Sequence, residues 1–344
     1  MRRKNFIYHH LVNKNNLIKF LNPATKGTFY WQSKPSSNLS NAQIGRVILQ
    51  FHQIVSILKL LKINLKEKNF LDIGTGNGMI PKLISKYTQI KYTHGIDPFL
   101  DGEHATSWQK HNSESEFKRI MKEIDYIISR SSNKSLNLIH YNNLLKQETF
   151  SLNPEPIQLE KRKKIKYKFY KIDALKVDGL KKKYDIIYLK ALEHISQLDQ
   201  LFLKLKKITK KGSILYFKHR SFFSYLGAHR YSSTYIPWGH VFLNDKEMIS
   251  YVKFYHKDRY KEFIRFYFND LSYPRFTVNE LIQLATKYNF VMKINITEPF
   301  KKLPEALDKI KNNKLFWKKI NKNYPSLSSS ELFSGMYHII MERI

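Results

Sequence analysis

Residues 69–80, Asn-Phe-Leu-Asp-Ile-Gly-Thr-Gly-Asn-Gly-Met-Ile, constrain this chain more than any other stretch. Phe70, Leu71 and Ile73 read as a buried strand. Gly74, Gly76 and Gly78 then fall at alternate positions, and a helix is predicted from Met79 to Tyr87. Glycine allows a sharp turn and a close backbone approach to a ligand where a Cβ would collide. A helix that starts there presents unsatisfied N–H groups and its positive dipole end. The dinucleotide fingerprint spaces its glycines G-x-G-x-x-G. Here the pattern is D-x-G-x-G-x-G, with Asp72 two residues before the first glycine. An acid at that place repels a pyrophosphate and accepts hydrogen bonds from an ammonium group. An ordinary strand-to-helix turn can carry the same residues, so the rest of the chain has to decide.

The later segments fall in a consistent order. Lys91 to Ile96 reads as a second strand ending at Asp97-Pro98. Asp97, 25 residues after Asp72, is placed to accept both hydroxyls of a ribose, as in other doubly wound nucleotide sites; a turn-forming Asp-Pro is the alternative. A third strand is predicted over Lys168 to Ala174, and a fourth over Tyr184 to Leu189, followed by Lys190-Ala191-Leu192-Glu193-His194-Ile195. An apolar-striped helix (Leu198 to Ile208), a turn at Lys210-Lys211-Gly212-Ser213 and a fifth strand (Ile214 to Phe217) come next. A helix opened by Thr277-Val278-Asn279-Glu280 leads to a sixth strand, Phe290 to Ile296, and Gly335 to Met341 is the last.

The glycine stretch resembles the first motif of the class I S-adenosylmethionine-dependent methyltransferases. The pattern D-I-I-x-x-x-x-L-E-H-I from Asp185 is similar to the fourth motif of small-molecule methyltransferases, including the ubiquinone-biosynthesis O-methyltransferases. The resemblance covers roughly 65–97 and 168–217. It implies an α/β fold: a doubly wound, seven-stranded, mostly parallel sheet, Rossmann-like, with helical insertions and a final antiparallel strand beside the fifth. It implies S-adenosylmethionine as cofactor. Asp72, Gly74, Thr75, Gly76 and Gly78 would cradle the methionine moiety, Asp97 the ribose, and Asp173 with Ala174 the adenine. Lys190, Ala191 and Leu192 would wall the methyl group. Amino-group methyltransferases of nucleic acids carry Asn- or Asp-Pro-Pro-aromatic after the fourth strand; its absence argues against base N-methylation.

Catalysis of such a transfer needs in-line positioning of the acceptor and removal of its proton. His194 is the first candidate base, since a neutral imidazole accepts a hydroxyl proton near pH 7; a histidine capping a helix is the alternative. His219, His229 and His240 are further candidates. They lie in a dense segment, Lys218 to Tyr231 and Ile236 to His240, similar to a segment of methyltransferases associated with surface polysaccharides. Its rings, Arg and His suit a sugar or an acidic small molecule; a packed loop with satisfied polar tips is the alternative.

The predicted organisation is an N-terminal arm and helix (1–64) and a methyltransferase domain (65–344). An insertion falls at about 98–167 and a substrate-side elaboration at about 218–275. Ile44, Val47, Ile48, Phe51, Ile54, Val55, Leu58 and Leu61 mark a helix before the first strand. Within the insertion, helices are predicted over Glu114 to Arg130 and Leu136 to Phe150. Asp101, Glu103, His104 and His111 lack the fixed spacing of a metal site, and no metal is predicted. Asn244 to Asp270 reads as one or two helices, and Leu303 to Lys319 as another.

Composition narrows the chemistry further. With no Cys, disulfides, thiolate metal sites and a cysteine nucleophile are excluded. The net charge of +32 points to an anionic partner. Only 12 of the 60 basic residues are Arg, the residue that specific phosphate and base readers favour. RNA methylation is therefore an alternative to the leading reading, O-methylation of a small molecule or saccharide. A catalytically silent binding protein is a third. No stretch approaches the ~20 apolar residues of a membrane span, and a cytoplasmic location is expected.

Overall fold

The computed structural model of the chain describes residues 41–76, 78–98, 122, 135–136, 157–158, 165–225, 227–229, 234, 238–256, 260–299 and 310–344. The predicted arm over 1–40, most of the insertion and the four acids and histidines at 101–111 lie outside these residues. Strands β1 (Asn69–Ile73), β2 (Tyr92–Ile96), β3 (Tyr167–Tyr170), β4 (Ile186–Leu189), β5 (Ile214–His219), β6 (Phe290–Pro299) and β7 (Ser334–Arg343) form one seven-stranded sheet. Its order is β3-β2-β1-β4-β5-β7-β6. β1 runs parallel to β2 and β4, and β2 parallel to β3. This is the predicted doubly wound, mostly parallel sheet, with the last strand beside the fifth.

The register positions the site. Ile73 pairs with both Ile96 and Leu189, and Ile96 pairs with Tyr170. The segments after four neighbouring strands therefore leave from one edge, on either side of the point where strand order reverses. Open α/β sheets bind ligands there.

The described residues fall into two compact units. The first holds 35–190, 200–216 and 340–344. Its parallel strands are buried on both faces and so are apolar without alternation: Phe70, Leu71, Ile186, Ile187 and Leu189 have at most 1% exposure. Helix α1 (Asn41–Leu60) buries Ile48, Phe51, Ile54, Val55 and Leu58, as its spacing predicts. It also buries His52, whose pKa burial pushes down to about 4. Phe51 meets Tyr87 of α2 (Met79–Tyr87) with ring centroids 6.2 Å apart. Asp185, the acid of the D-I-I pattern, serves the fold: it accepts the Asn69 N–H at 2.9 Å and pairs with Lys210 at 2.8 Å. That clasp ties the start of β4 to the start of β1 and to the turn after α3 (Leu198–Ile208).

The second unit holds 191–199 and 217–339. Short helices α4 (Gly239–Phe242), α5 (Asp245–His256) and α6 (Tyr260–Arg265) precede α7 (Val278–Lys287), α8 (Lys314–Asn323) and α9 (Ser329–Leu332). The predicted helical run over 244–270 is thus α5 and α6, and α6 continues into a π-helical turn at Phe266–Asp270. There the Leu271 N–H reaches back five residues to the Phe266 carbonyl. Of the helix predicted over Leu303 to Lys319, residues 303–309 lie outside the described residues, and α8 covers its end from Lys314. Leu136, predicted to open a helix, instead pairs as a short antiparallel strand with Ile157. The helix predicted to open at Thr277-Val278-Asn279-Glu280 is α7, and Thr277 and Glu280 close a capping box at its start, at 3.2 and 2.7 Å. Much of the aromatic segment after β5 is core here. Trp238 is fully buried, donates its indole N–H to the Leu332 carbonyl at 2.9 Å, and meets Tyr225 edge to face.

Candidate functional site

The turn after β1 is built from left-handed glycines. Gly74, Gly76 and Gly78 have φ of 74°, 55° and 72°, a region costly for any residue with a Cβ. The turn is held to β2 by backbone bonds from Gly74 and Thr75 to the Ile96 carbonyl, at 2.9 and 3.1 Å. Two acids close it. Asp97 accepts the Gly76 N–H at 2.9 Å. Asp72 accepts the Thr75 hydroxyl at 2.7 Å. Both carboxyls are buried, with 3% exposure for Asp72 and 5% for Asp97. Burial, and to a lesser degree the Asp97 charge, push the Asp72 pKa up to about 7 against the pull of Thr75 and Lys190.

The structure thus brings together Asp72, Gly74, Thr75, Gly76, Gly78 and Asp97. A Cβ built on Gly76 meets no atom within 4 Å, so the turn has open space on that side. Two buried carboxylates beside that space fit a ligand with an ammonium group and vicinal hydroxyls. Lys190 is exposed and donates to Gln50 of α1 at 3.2 Å. Asp173, also exposed, caps a 3₁₀ helix over Ala174–Leu180 by accepting the Leu175 N–H at 2.8 Å. Ala174 is buried at the start of that helix.

One residue of this site left no motif in the sequence. Tyr167, the first residue of β3, places its hydroxyl where a Cβ on Gly78 would stand, and 2.9 Å from one on Gly95. The available signal was Gly95, a glycine inside a strand, which marks a close approach by a neighbour. Gly78→Ala is accordingly expected to destabilise the fold, with roughly 1–2 kcal/mol from the left-handed backbone alone and more from displacing the tyrosine ring. Thermal denaturation checks this; an unchanged melting temperature would show that Tyr167 yields freely.

In the second unit, Leu192–His194 form a 3₁₀ turn. Leu192 is buried there, and Ala191, half-buried, precedes it. His194 Nδ1 lies 2.6 Å from the Asp270 carbonyl, and its ring faces His229 at 6.1 Å and Phe266 at 6.0 Å. The structure therefore pairs two of the predicted histidines. His240 is placed differently: it is buried, and its Nε2 reaches the Phe222 and Ser224 carbonyls at 2.8 and 3.1 Å. Burial lowers its pKa to about 4. Its Nε2–H braces the loop after β5. His219 is 1% exposed and stacks on Phe276, and neither ring nitrogen has a hydrogen-bond partner. It lines a small pocket with Glu193, Arg275 and Phe276, and burial lowers its pKa to about 3. Among the described residues no group of three or more His, Asp or Glu could hold a metal ion, and no helix is long and apolar enough to cross a membrane.

Comparison with known proteins agrees with this geometry. A family model described as a methyltransferase domain matches residues 50–262, more than half of the chain. No curated protein matches. Among solved structures, the chain is similar to a putative sarcosine dimethylglycine methyltransferase from Galdieria sulphuraria. The identity is 11% and the TM-score 0.40, over 96% of this chain and 98% of that one. It is similar to the magnesium protoporphyrin IX methyltransferase from Synechocystis PCC 6803 with SAH bound, at 9% identity and a TM-score of 0.40, over 88% and 85% of the two chains. A third is a putative S-adenosylmethionine-dependent methyltransferase from Listeria monocytogenes, at 14% identity and a TM-score of 0.39, over 85% and 99%. With the family model spanning most of the sheet's strands and the glycine turn closed by two acids, the chain belongs to the methyltransferase-domain family, as a class I S-adenosylmethionine-dependent methyltransferase.

Proposed function

We propose that the protein transfers a methyl group from S-adenosylmethionine to a hydroxyl of a small molecule or saccharide. The cofactor supplies a methyl group already activated on its sulfonium. Asp72 and the glycine turn take the methionine moiety and Asp97 the ribose. Asp173 and Ala174 take the adenine, and Lys190, Ala191 and Leu192 wall the reacting end. The observation that carries the hydroxyl reading is the carbonyl that faces His194 Nδ1. A carbonyl oxygen only accepts, so Nδ1 bears a hydrogen, and in the neutral ring the lone pair is then on Nε2. A neutral imidazole so oriented can accept the proton an alcohol loses on methylation. His229 packs beside that ring, and His240 supports the loop after β5.

The test is transfer of labelled methyl from S-adenosylmethionine into fractionated cell extract. Label is expected in the small-molecule or saccharide fraction, and the Asp97→Ala variant is expected to lose it. Label in RNA alone would overturn the acceptor reading and favour a partner chosen by the basic surface. A protein that binds the cofactor without transferring label to any fraction would instead be a silent member of the fold.

A further inference from the structure

Two segments of the second unit are clamped together beside His194. The Ser272 N–H donates to the Glu193 carbonyl at 2.7 Å, and His194 Nδ1 meets the Asp270 carbonyl at 2.6 Å. These segments and the end of β5 line one small pocket, with polar groups from Glu193, His219, Ser272 and Arg275 and rings from Phe222 and Phe276. His219 is the last residue of β5 and is 1% exposed. Its ring stacks on Phe276, with centroids 5.5 Å apart and planes 20° apart. Stacking engages the face of the ring and leaves the nitrogens, on its edge, to other partners. Neither nitrogen has a hydrogen-bond partner. Burial keeps the imidazole neutral, so it offers one N–H donor and one acceptor. Folded proteins pair nearly all such buried groups, and leaving both unpaired is costly.

The other lining groups select what would pair with His219. Arg275 donates to the Ser272 and Tyr267 carbonyls and lies over the Phe222 ring at 4.4 Å. A guanidinium has five N–H groups, so donors remain after those two bonds. Glu193 brings a carboxylate to the same pocket. A bound anion gains from Arg275 and loses to Glu193, and a bound cation does the reverse. A hydroxyl is uncharged, is the size of a water molecule, and both donates and accepts, which matches a neutral imidazole.

We propose that this pocket is a subsite for a hydroxyl group of the methyl acceptor, with His219 as its binding residue. That the guest belongs to the acceptor rests on the function proposed above; the preference of the pocket for a hydroxyl does not. The Leu192–His194 turn that carries Glu193 also carries His194, the base for the reacting hydroxyl. The acceptor therefore bears two neighbouring hydroxyls, one held at His219 and one methylated at His194, and a saccharide has this chemistry.

The probe is glycerol, a small molecule with neighbouring hydroxyls, and acetate and methylammonium are the charged controls. The rings of the 13 histidines are followed by nitrogen-15 NMR of the full chain at pH 7. The His219 signals are those missing from His219→Phe, which keeps a ring on Phe276; if that variant does not fold, His219→Gln supplies the assignment. Glycerol is expected to shift both His219 nitrogens saturably, with half-saturation below about 0.1 M, and either ion to shift them little. Unmoved His219 signals in glycerol overturn the subsite, as does a larger shift with acetate or with methylammonium. The second readout is steady-state transfer to the acceptor found in the labelled fraction. His219→Phe is expected to raise KM for that acceptor by about five-fold or more, with S-adenosylmethionine affinity unchanged. His219→Gln, which keeps a donor and an acceptor, should recover part of the loss. An unchanged KM removes His219 from the acceptor site. If the unaltered protein transferred no label to the small-molecule or saccharide fraction, the proposed function would fall, and the glycerol titration would still decide what the pocket takes.

Discussion

Asp72→Asn is expected to raise the melting temperature of the cofactor-free protein and to weaken S-adenosylmethionine binding. The two effects have one cause. The carboxyl is buried at the end of β1, where the folded protein holds its pKa up at about 7. At pH 8 it is ionised in a site that disfavours charge, and each unit of such a shift is worth about 1.4 kcal/mol of folding free energy. Asparagine keeps the shape and an oxygen for the Thr75 hydroxyl, and carries no charge to desolvate. The fold should therefore gain several degrees at pH 8, less at pH 5, and little below pH 4, where Asp72 is protonated in the folded and the unfolded chain alike. The cofactor loses a charged partner for its ammonium group. A hydrogen bond to a charged group is worth about 1.5–3 kcal/mol, so affinity should fall roughly 10- to 150-fold. Differential scanning fluorimetry and titration calorimetry check the two halves separately. A lower melting temperature with unchanged affinity would make Asp72 an ordinary strand-end residue and remove it from the cofactor site.

The second large effect is acid sensitivity. Burial holds His52, His94 and His240 at about 4 and His219 at about 3, all below the ordinary value near 6.5. These rings stay neutral in the folded protein and take up protons once it unfolds, so their contribution is present above pH 6.5 and is lost as pH falls. Asp72 and Glu331 act in the opposite sense. Burial raises both to about 7, so they favour the fold as pH falls from 7 toward 4. Between pH 4.5 and 6 these four rings give the unfolded chain up to four extra protons and the two carboxyls up to two fewer, a net of about two from these six groups. Stability should therefore peak near pH 6.5 and fall by about 3 kcal/mol per unit below pH 6, lowering the melting temperature by roughly 5–10 °C between pH 6 and 5. A melting temperature that is flat or rises over that interval would show that the carboxyls outweigh the rings. The His219→Phe and His52→Phe variants should each flatten the acid limb, because each removes one of the four protons taken up on unfolding.

The sheet was legible in the sequence because parallel strands covered on both faces must be apolar without alternation, and few segments here are. Phe70-Leu71 and Ile186-Ile187 announce themselves in this way, and the glycines that follow β1 are legible because three left-handed residues in five leave little other choice. The acids Asp72 and Asp97 were legible by spacing. Their hydrogen bonds were not, since the partners of a carboxylate depend on which loops the sheet brings to its edge. The aromatic segment after β5 shows the opposite case. A run of rings, Arg and His has the composition of a binding loop, and composition does not distinguish it from a core. Trp238, Phe222, Phe223 and Tyr225 are buried in one cluster with Val241, Leu243, Val252, Leu271 and Ile320, where rings and aliphatic side chains share the core. Likewise His194 and His240 are equal as letters, and only the carbonyls they face assign their protons.

The D-x-G-x-G-x-G turn and its place after the first strand were determined by the sequence alone, because backbone conformation at glycine is a local property; the ligand was implied by the order of the later motifs. Tyr167 was decided only by the tertiary structure. It lies 95 positions after Asp72 in the chain and beside it in space. A contact made across two parallel strands depends on register, and that is fixed only when the whole sheet has formed.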